Sequence, residues 1–152
     1  MGSDASKTEL EKQALLKFIA AANYPIDVTS IEKLDGERLP DFSCSTTDGV
    51  RFAVEVTELC DEDIAKMIDI SKRVASASVW TNSPTAILKR KMQKTYATDL
   101  PIELLCYLDG RVVDTDDMMR VKIEEIANGD TNPFRRVWFH GEDGVYLMYG
   151  DR

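Results

Sequence analysis

The residues best suited to chemistry in this chain are two carboxylates, Asp41 and Glu55. Asp41 follows Pro40 at the start of a strand-like run, and Glu55 sits inside the next one, Phe52-Ala53-Val54-Glu55-Val56. Between them lies Thr47-Asp48-Gly49, a hairpin signal in which Asp-Gly suits a positive φ. Adjacent antiparallel strands are therefore expected to bring the two carboxylates close together. An ionised glutamate within an apolar run is costly unless it is paired or bound to a cation. A hard divalent ion removes that cost, because Mg²⁺ takes one or two carboxylates and keeps several waters. The Val56 carbonyl is the natural third ligand. The plainer readings are that Asp41 only opens a strand and that Glu55 faces solvent from a sheet edge.

A third carboxylate, Glu11, falls at the centre of the helical arc defined by Leu10, Ala14, Leu15 and Phe18, at about 100° per residue. A charge on the face that should pack against a sheet is a local inconsistency of the kind functional sites create. The bland alternative is a narrower stripe with Glu11 snorkelling to its edge. Positive charge comes from Lys89, Arg90, Lys91 and Lys94, with no acid between Ser83 and Tyr96. Lys89, Arg90 and Lys94 are expected on a solvated or phosphate-facing edge. Lys91 projects between Ile87 and Leu88, so either its ammonium is directed toward the sheet or its stem covers core while its head reaches water.

The elements that must position these groups are legible from periodicity and punctuation. A helix is predicted over Ser6 to Ala22, started by a capping box and ended before Pro25. Leu10, Ala14, Leu15, Phe18, Ile19 and Ala22 are its inward face. Strands are predicted at about Asp27 to Leu34, Asp41 to Thr46 and Arg51 to Leu59, then a helix from Asp61 to about Ser78. Ser83-Pro84 starts another helix, running to about Tyr96. A buried-looking strand follows, Ile102 to Leu108, then a helix from Asp116 to Ala127 stopped by Asn128-Gly129. Two strands, Arg136 to His140 and Val145 to Tyr149, close the chain. The order α-β-β-β-α-α-β-α-β-β implies an α/β domain, a mixed sheet flanked by helices. The Asp114-Thr115-Asp116-Asp117 run is read as helix capping. Trp80 is read as a packing residue at a loop exit and Trp138 as core or dimer surface.

At 152 residues the chain is expected to be one domain, 1–152, with one core. No apolar run approaches the ~18 residues of a membrane span, and the polar, acidic start carries no signal-peptide pattern. Three cysteines, without close-paired spacing, point to a reduced, cytoplasmic setting. The single histidine, His140, excludes a histidine-rich metal site. The net charge of −8 argues against a surface that coats nucleic acid broadly, though local basic strips can still bind it.

Pro40-Asp41, the hairpin, Glu55-Val56-Thr57 and a preceding helix bearing Glu11 together resemble the PD-(D/E)xK phosphodiesterase superfamily, the restriction-endonuclease-like fold. The resemblance covers a core order αβββαβ from about residue 6 to 108, with 109–152 as a C-terminal extension. It implies metal-assisted hydrolysis of a phosphodiester in nucleic acid, DNA in the first place, with Asp41, Glu55 and the Val56 carbonyl holding Mg²⁺ or Mn²⁺. Glu11 would bind a second ion or orient its water, and Lys91 would stabilise charge on the phosphoryl group. One departure stands out: the family's lysine, two residues after the glutamate, is here Thr57. Thr57 shares a face with Glu55 but carries no charge, so a lysine from a neighbouring helix must replace it. Lys91 is the first candidate, with Lys94 and Lys72 behind it. Gln93 and Tyr96 also match a loose Q-x-x-Y pattern of some exonuclease members. Two other readings stay open. One is an interaction protein that keeps the fold without the catalysis, such as an accessory subunit, immunity protein or inhibitor, acting with a partner protein or as a homodimer. The other is a divalent-metal hydrolase of small nucleotides.

Overall fold

Side-chain alternation along residues 51–58 sets the architecture. Phe52, Val54 and Val56 pack on one face of a sheet with Phe18 and Leu15, while Ala53 packs on the other with Leu88 and Leu104. A strand apolar on both faces must be central, with helices above and below. The computed structural model describes residues 3–61 and 83–151. From residue 62 onward the helix predicted over 61–78, with Lys72, and likewise Trp80, lie outside the described residues.

The described elements are α1 (Ser3–Ala22), β1 (Ile26–Lys33), β2 (Phe42–Thr46), β3 (Arg51–Glu58), α2 (Pro84–Met92), β4 (Ile102–Tyr107), α3 (Asp116–Ala127), β5 (Arg136–His140) and β6 (Val145–Tyr149). The strands form one open, mixed sheet in sequence order, β1-β2-β3-β4-β5-β6. β1, β2 and β3 make an antiparallel meander, β4 and β5 run parallel to β3, and β6 returns antiparallel. The α/β expectation with a mixed, helix-flanked sheet holds.

Two apolar layers lie on opposite faces of the sheet. α1 sets Ala14, Leu15, Phe18 and Ile19 against Phe42, Phe52, Val54, Leu105 and Trp138. α2 and α3 set Leu88, Met92, Met119 and Ile123 against Leu104, Cys106, Val137 and Phe139. Each such fully buried large side chain stabilises the fold by roughly 1.5–3 kcal/mol. Local signals start both later helices as expected. The Ser83 side chain accepts the Ala86 N–H at 3.2 Å with Pro84 in the first turn, and Thr115 accepts the Met118 N–H at 3.3 Å. Gly49 takes φ +91° in the β2–β3 turn, where a side chain would be strained.

Two expectations change. Leu10, placed on the inward face of α1, is 64 % exposed. The buried stripe begins at Ala14, because the first turns of the helix reach past the packed part of the sheet. α2 ends at Met92 rather than near Tyr96. The chain beyond Gln93 is held elsewhere: Ala97 N–H donates to the Arg38 carbonyl at 2.7 Å, and the Tyr96 ring packs on Phe134 with centroids 5.7 Å apart. Tertiary contacts here override helical propensity. The Asp114-Thr115-Asp116-Asp117 run caps α3 as expected, with Asp116 and Asp117 in the first turn; Asp116 is also buried and accepts the N–H groups of Glu142 and Asp143 at 2.9 and 2.7 Å. The cap is Thr115. Trp138 belongs to the core, 3 % exposed.

Candidate active site

The site arises where one strand outruns its neighbour. β2 begins at Phe42, opposite Val54, so β3 continues past the start of β2 and the ladder stops. The N–H of Val56 then needs another acceptor. Asp41 supplies it: its Oδ2 accepts that N–H at 2.8 Å, and its own N–H donates to Glu55 Oε1 at 3.1 Å. The N–H and C=O of one residue in an extended strand point to the same side. The Val56 carbonyl therefore faces the same notch as Asp41.

Glu55 is 2 % exposed, and its second oxygen, Oε2, is met by two ammonium groups. Lys91 Nζ donates to it at 2.8 Å from the last turn of α2, and Lys94 Nζ at 3.5 Å from the chain just beyond. Lys94 thus leaves the outer edge assigned to it, because the early end of α2 turns it inward. Its ammonium also lies 5.2 Å over the Tyr96 ring. The Tyr96 hydroxyl is buried and turned toward the Glu55 carboxylate. Lys33 Nζ approaches Asp41 Oδ1 at 3.8 Å. Lys89 and Arg90 stand exposed on the outer side of α2.

Opposing pressures separate the carboxyls. Burial pushes Glu55 up, but the charges of Lys91 and Lys94 outweigh it and hold the carboxyl below its ordinary value. Burial and then the Glu55 charge push Asp41 above its ordinary value, against the Val56 N–H and the lysines. Glu11 is half-buried and raised as well, by burial first and the Asp41 charge second. Burial, then Glu55, raises the Tyr96 phenol, which stays neutral. Glu11, Val56, Thr57 and Lys91 line one cleft of about 510 Å³, together with Tyr107 and Arg111. Thr57, 8 % exposed, sits where a strand lysine was expected, and Lys91 enters the same cleft from above.

Among the described residues, no group of three or more His, Cys, Asp or Glu is gathered tightly enough to hold a metal ion. A hydrated Mg²⁺ needs less, one or two carboxylates with the rest water. Asp41 fits that demand. Burial first and the Glu55 charge second hold its carboxyl above its ordinary value, and it is joined to Glu55 through its own N–H.

A second buried carboxylate, Glu103, escaped notice in the sequence. It interrupts the apolar run Ile102-Leu104-Leu105 as Glu55 interrupts its own, so the same signal was available. Glu103 is 1 % exposed on the α1 face and is saturated with donors. Arg135 and Arg136 reach Oε2 at 2.6 Å each, while Trp138 Nε1 and the Tyr24 hydroxyl reach Oε1 at 2.9 Å. Every one of these partners belongs to the protein, and the cluster reads as structural. Arg111 and Glu58 form a further pair, bidentate at 3.0 and 2.6 Å, at the mouth of the cleft.

The chain matches no family model, no curated protein and no solved structure.

Proposed function

We propose that this protein is a metal-dependent phosphodiesterase of the restriction-endonuclease-like type, acting on nucleic acid, DNA in the first place. The observation that carries the reading is the Lys91 ammonium on Glu55, beside Asp41, with Lys91 itself lining a cleft that Glu11, Val56 and Thr57 also line. A lysine delivered by α2 stands in for the strand lysine that Thr57 lacks. The meander β1-β2-β3 with β4 parallel to β3 and helices on both faces is compatible with the αβββαβ core of that fold.

Asp41, Glu55 and the Val56 carbonyl would hold Mg²⁺ or Mn²⁺, which supplies a water of lowered pKa and neutralises phosphoryl charge. The remaining work falls to side chains. The Val56 N–H fixes the Asp41 carboxylate, and the Asp41 N–H fixes Glu55. Lys91 presents its ammonium to the charge that develops on the phosphoryl oxygens. Glu11, with its raised affinity for protons, orients the attacking water and takes up its proton. The test is cleavage of plasmid and single-stranded DNA in Mn²⁺ and Mg²⁺ by wild type and Glu55→Ala. Cleavage by wild type alone supports the reading. Equal cleavage by both, or none by either across metals and substrates, sinks it.

One observation favours a second reading, a nuclease-type fold retained for interaction with a partner protein. Both Glu55 oxygens already have protein donors, and Lys33 approaches Asp41, so the carboxylates are compensated from within. On this reading Mn²⁺ leaves the melting temperature of the wild type unchanged.

A further inference from the structure

The cleft does not end at Lys91. A second cleft of about 190 Å³ adjoins it, and the two share Leu10, Glu58, Tyr107 and Arg111. Together they form one groove past the ends of β3, β4 and β5, from Lys91 at one end to His140 at the other. A crevice beyond the carboxyl ends of parallel strands is where open α/β sheets bind ligands.

Its lining is chemically divided. Lys91 and Lys7 lie toward the carboxylates, Lys17 lies at the far end, and Arg111 is paired bidentately to Glu58; Glu11 and Asp109 are the other acids on the lining, and Lys91 is shared with Glu55. Between them stand an apolar side chain and an aromatic ring. Leu10 is 64 % exposed on the groove wall and, among the described residues, belongs to neither apolar cluster. The half-buried Tyr107 phenol, pushed up to about 12 by burial and by Glu58 and Glu11, remains neutral. Basic groups spaced along a groove with an apolar, aromatic platform between them suit a phosphate-linked strand whose bases are free to lie on a surface. A base-paired duplex keeps its bases stacked inside and cannot use that platform. The chain's net charge of −8 also disfavours the broad backbone contact that a duplex requires.

We infer that the groove takes an unpaired nucleic-acid strand, with a nucleobase on Leu10 and Tyr107 and the neighbouring phosphate directed to Lys91. This rests on the phosphodiesterase reading and narrows its substrate. It is tested by fluorescence anisotropy with a short labelled single strand and the matching blunt duplex, in EDTA and in Ca²⁺. The single strand is expected to bind at least about ten-fold tighter than the duplex. Leu10→Asp removes that preference, Leu10→Phe retains it, and Val50→Asp, an equal charge change at a remote exposed turn, leaves it unaltered. Circular dichroism checks that each variant is folded. Duplex bound as tightly as single strand, or Leu10→Asp binding like wild type, overturns the inference. If Lys91→Ala weakens strand binding while Leu10→Asp does not, the groove assignment falls and the site reading stands. If neither nucleic acid binds at all, both fall together.

Discussion

The Lys91 ammonium meets Glu55 Oε2 at 2.8 Å, joining the last turn of a helix to the middle of a strand buried beneath it. The carboxylate is 2 % exposed and the lysine side chain 25 %, so the pair sits at the boundary between core and cleft. There the interaction is stronger than on an open surface. It also ties the packing of α2 to the site.

Lys91→Met is therefore expected to act twice. Cleavage should fall by about 10²-fold or more, as when a preorganised charge is removed from a transition state. Stability should fall by about 3 kcal/mol, the low end for breaking a buried pair, because Lys94 remains at 3.5 Å. Urea denaturation and a cleavage assay read the two effects separately. An unchanged denaturation midpoint would show that the contact contributes nothing to folding.

Moving the lysine back to the strand provides a sharper check. Thr57 lies on the face that bears Glu55 and lines the same cleft as Lys91. Thr57→Lys introduced with Lys91→Met should recover part of the lost metal-dependent cleavage. Recovery by Thr57→Lys but not by Thr57→Val would locate the requirement in charge rather than in shape.

The carboxyls should titrate apart. Asp41 and Glu11 hold protons to higher pH folded than unfolded, so stability falls as pH rises through their raised pKa values. Glu55 works in the opposite sense: its contribution is present above its ordinary value and is lost as pH falls through the depressed one. Carboxyl ¹³C NMR should show Glu55 below, and Asp41 and Glu11 above, their usual ranges, with Mg²⁺ pulling Asp41 down. Asp41→Asn keeps an acceptor for Val56 N–H and removes the charge facing Glu55. It should raise the metal-free melting temperature by a few degrees at neutral pH while abolishing cleavage.

Glu103 should matter to stability and not to chemistry. Glu103→Ala leaves Arg135, Arg136, Tyr24 and Trp138 without their shared acceptor and is expected to cost about 3–5 kcal/mol. The folded fraction at low temperature should keep wild-type specific cleavage, since Glu103 faces α1 and Glu55 faces α2.

The β5–β6 turn predicts a steric effect. A Cβ on Gly141 would overlap the Asp116 carboxylate, which holds the Glu142 and Asp143 N–H groups. Gly141→Ala should destabilise by about 1–3 kcal/mol, measurable by thermal unfolding. Gly49→Ala meets no neighbour and is strained only through its φ.

How far each feature could be read depended on whether its cause was local. The bounds of β5, β6 and α3 follow from alternation, Thr115 and Asn128-Gly129, and they match residue for residue. The adjacency of Asp41 and Glu55 followed from the hairpin between them, whose turn chemistry sets the register. Glu11 was marked by helical phase and by the family resemblance. Other features had non-local causes. Glu55 and Glu103 carry the same sequence signature, a charge inside an apolar strand. They differ only in what the fold brings to them: arginines and an indole from residues 135–138 around one, lysines at a cleft mouth beside the other. Lys94 turned inward where α2 ends at Met92 and the chain beyond is held by the Ala97–Arg38 backbone bond and by Tyr96 on Phe134. Residue types and periodicity thus determined which strands and helices form and which carboxylates are out of place. The tertiary structure alone decided which cations answer them, because charge pairing depends on distance in space and that distance is set by packing far along the chain.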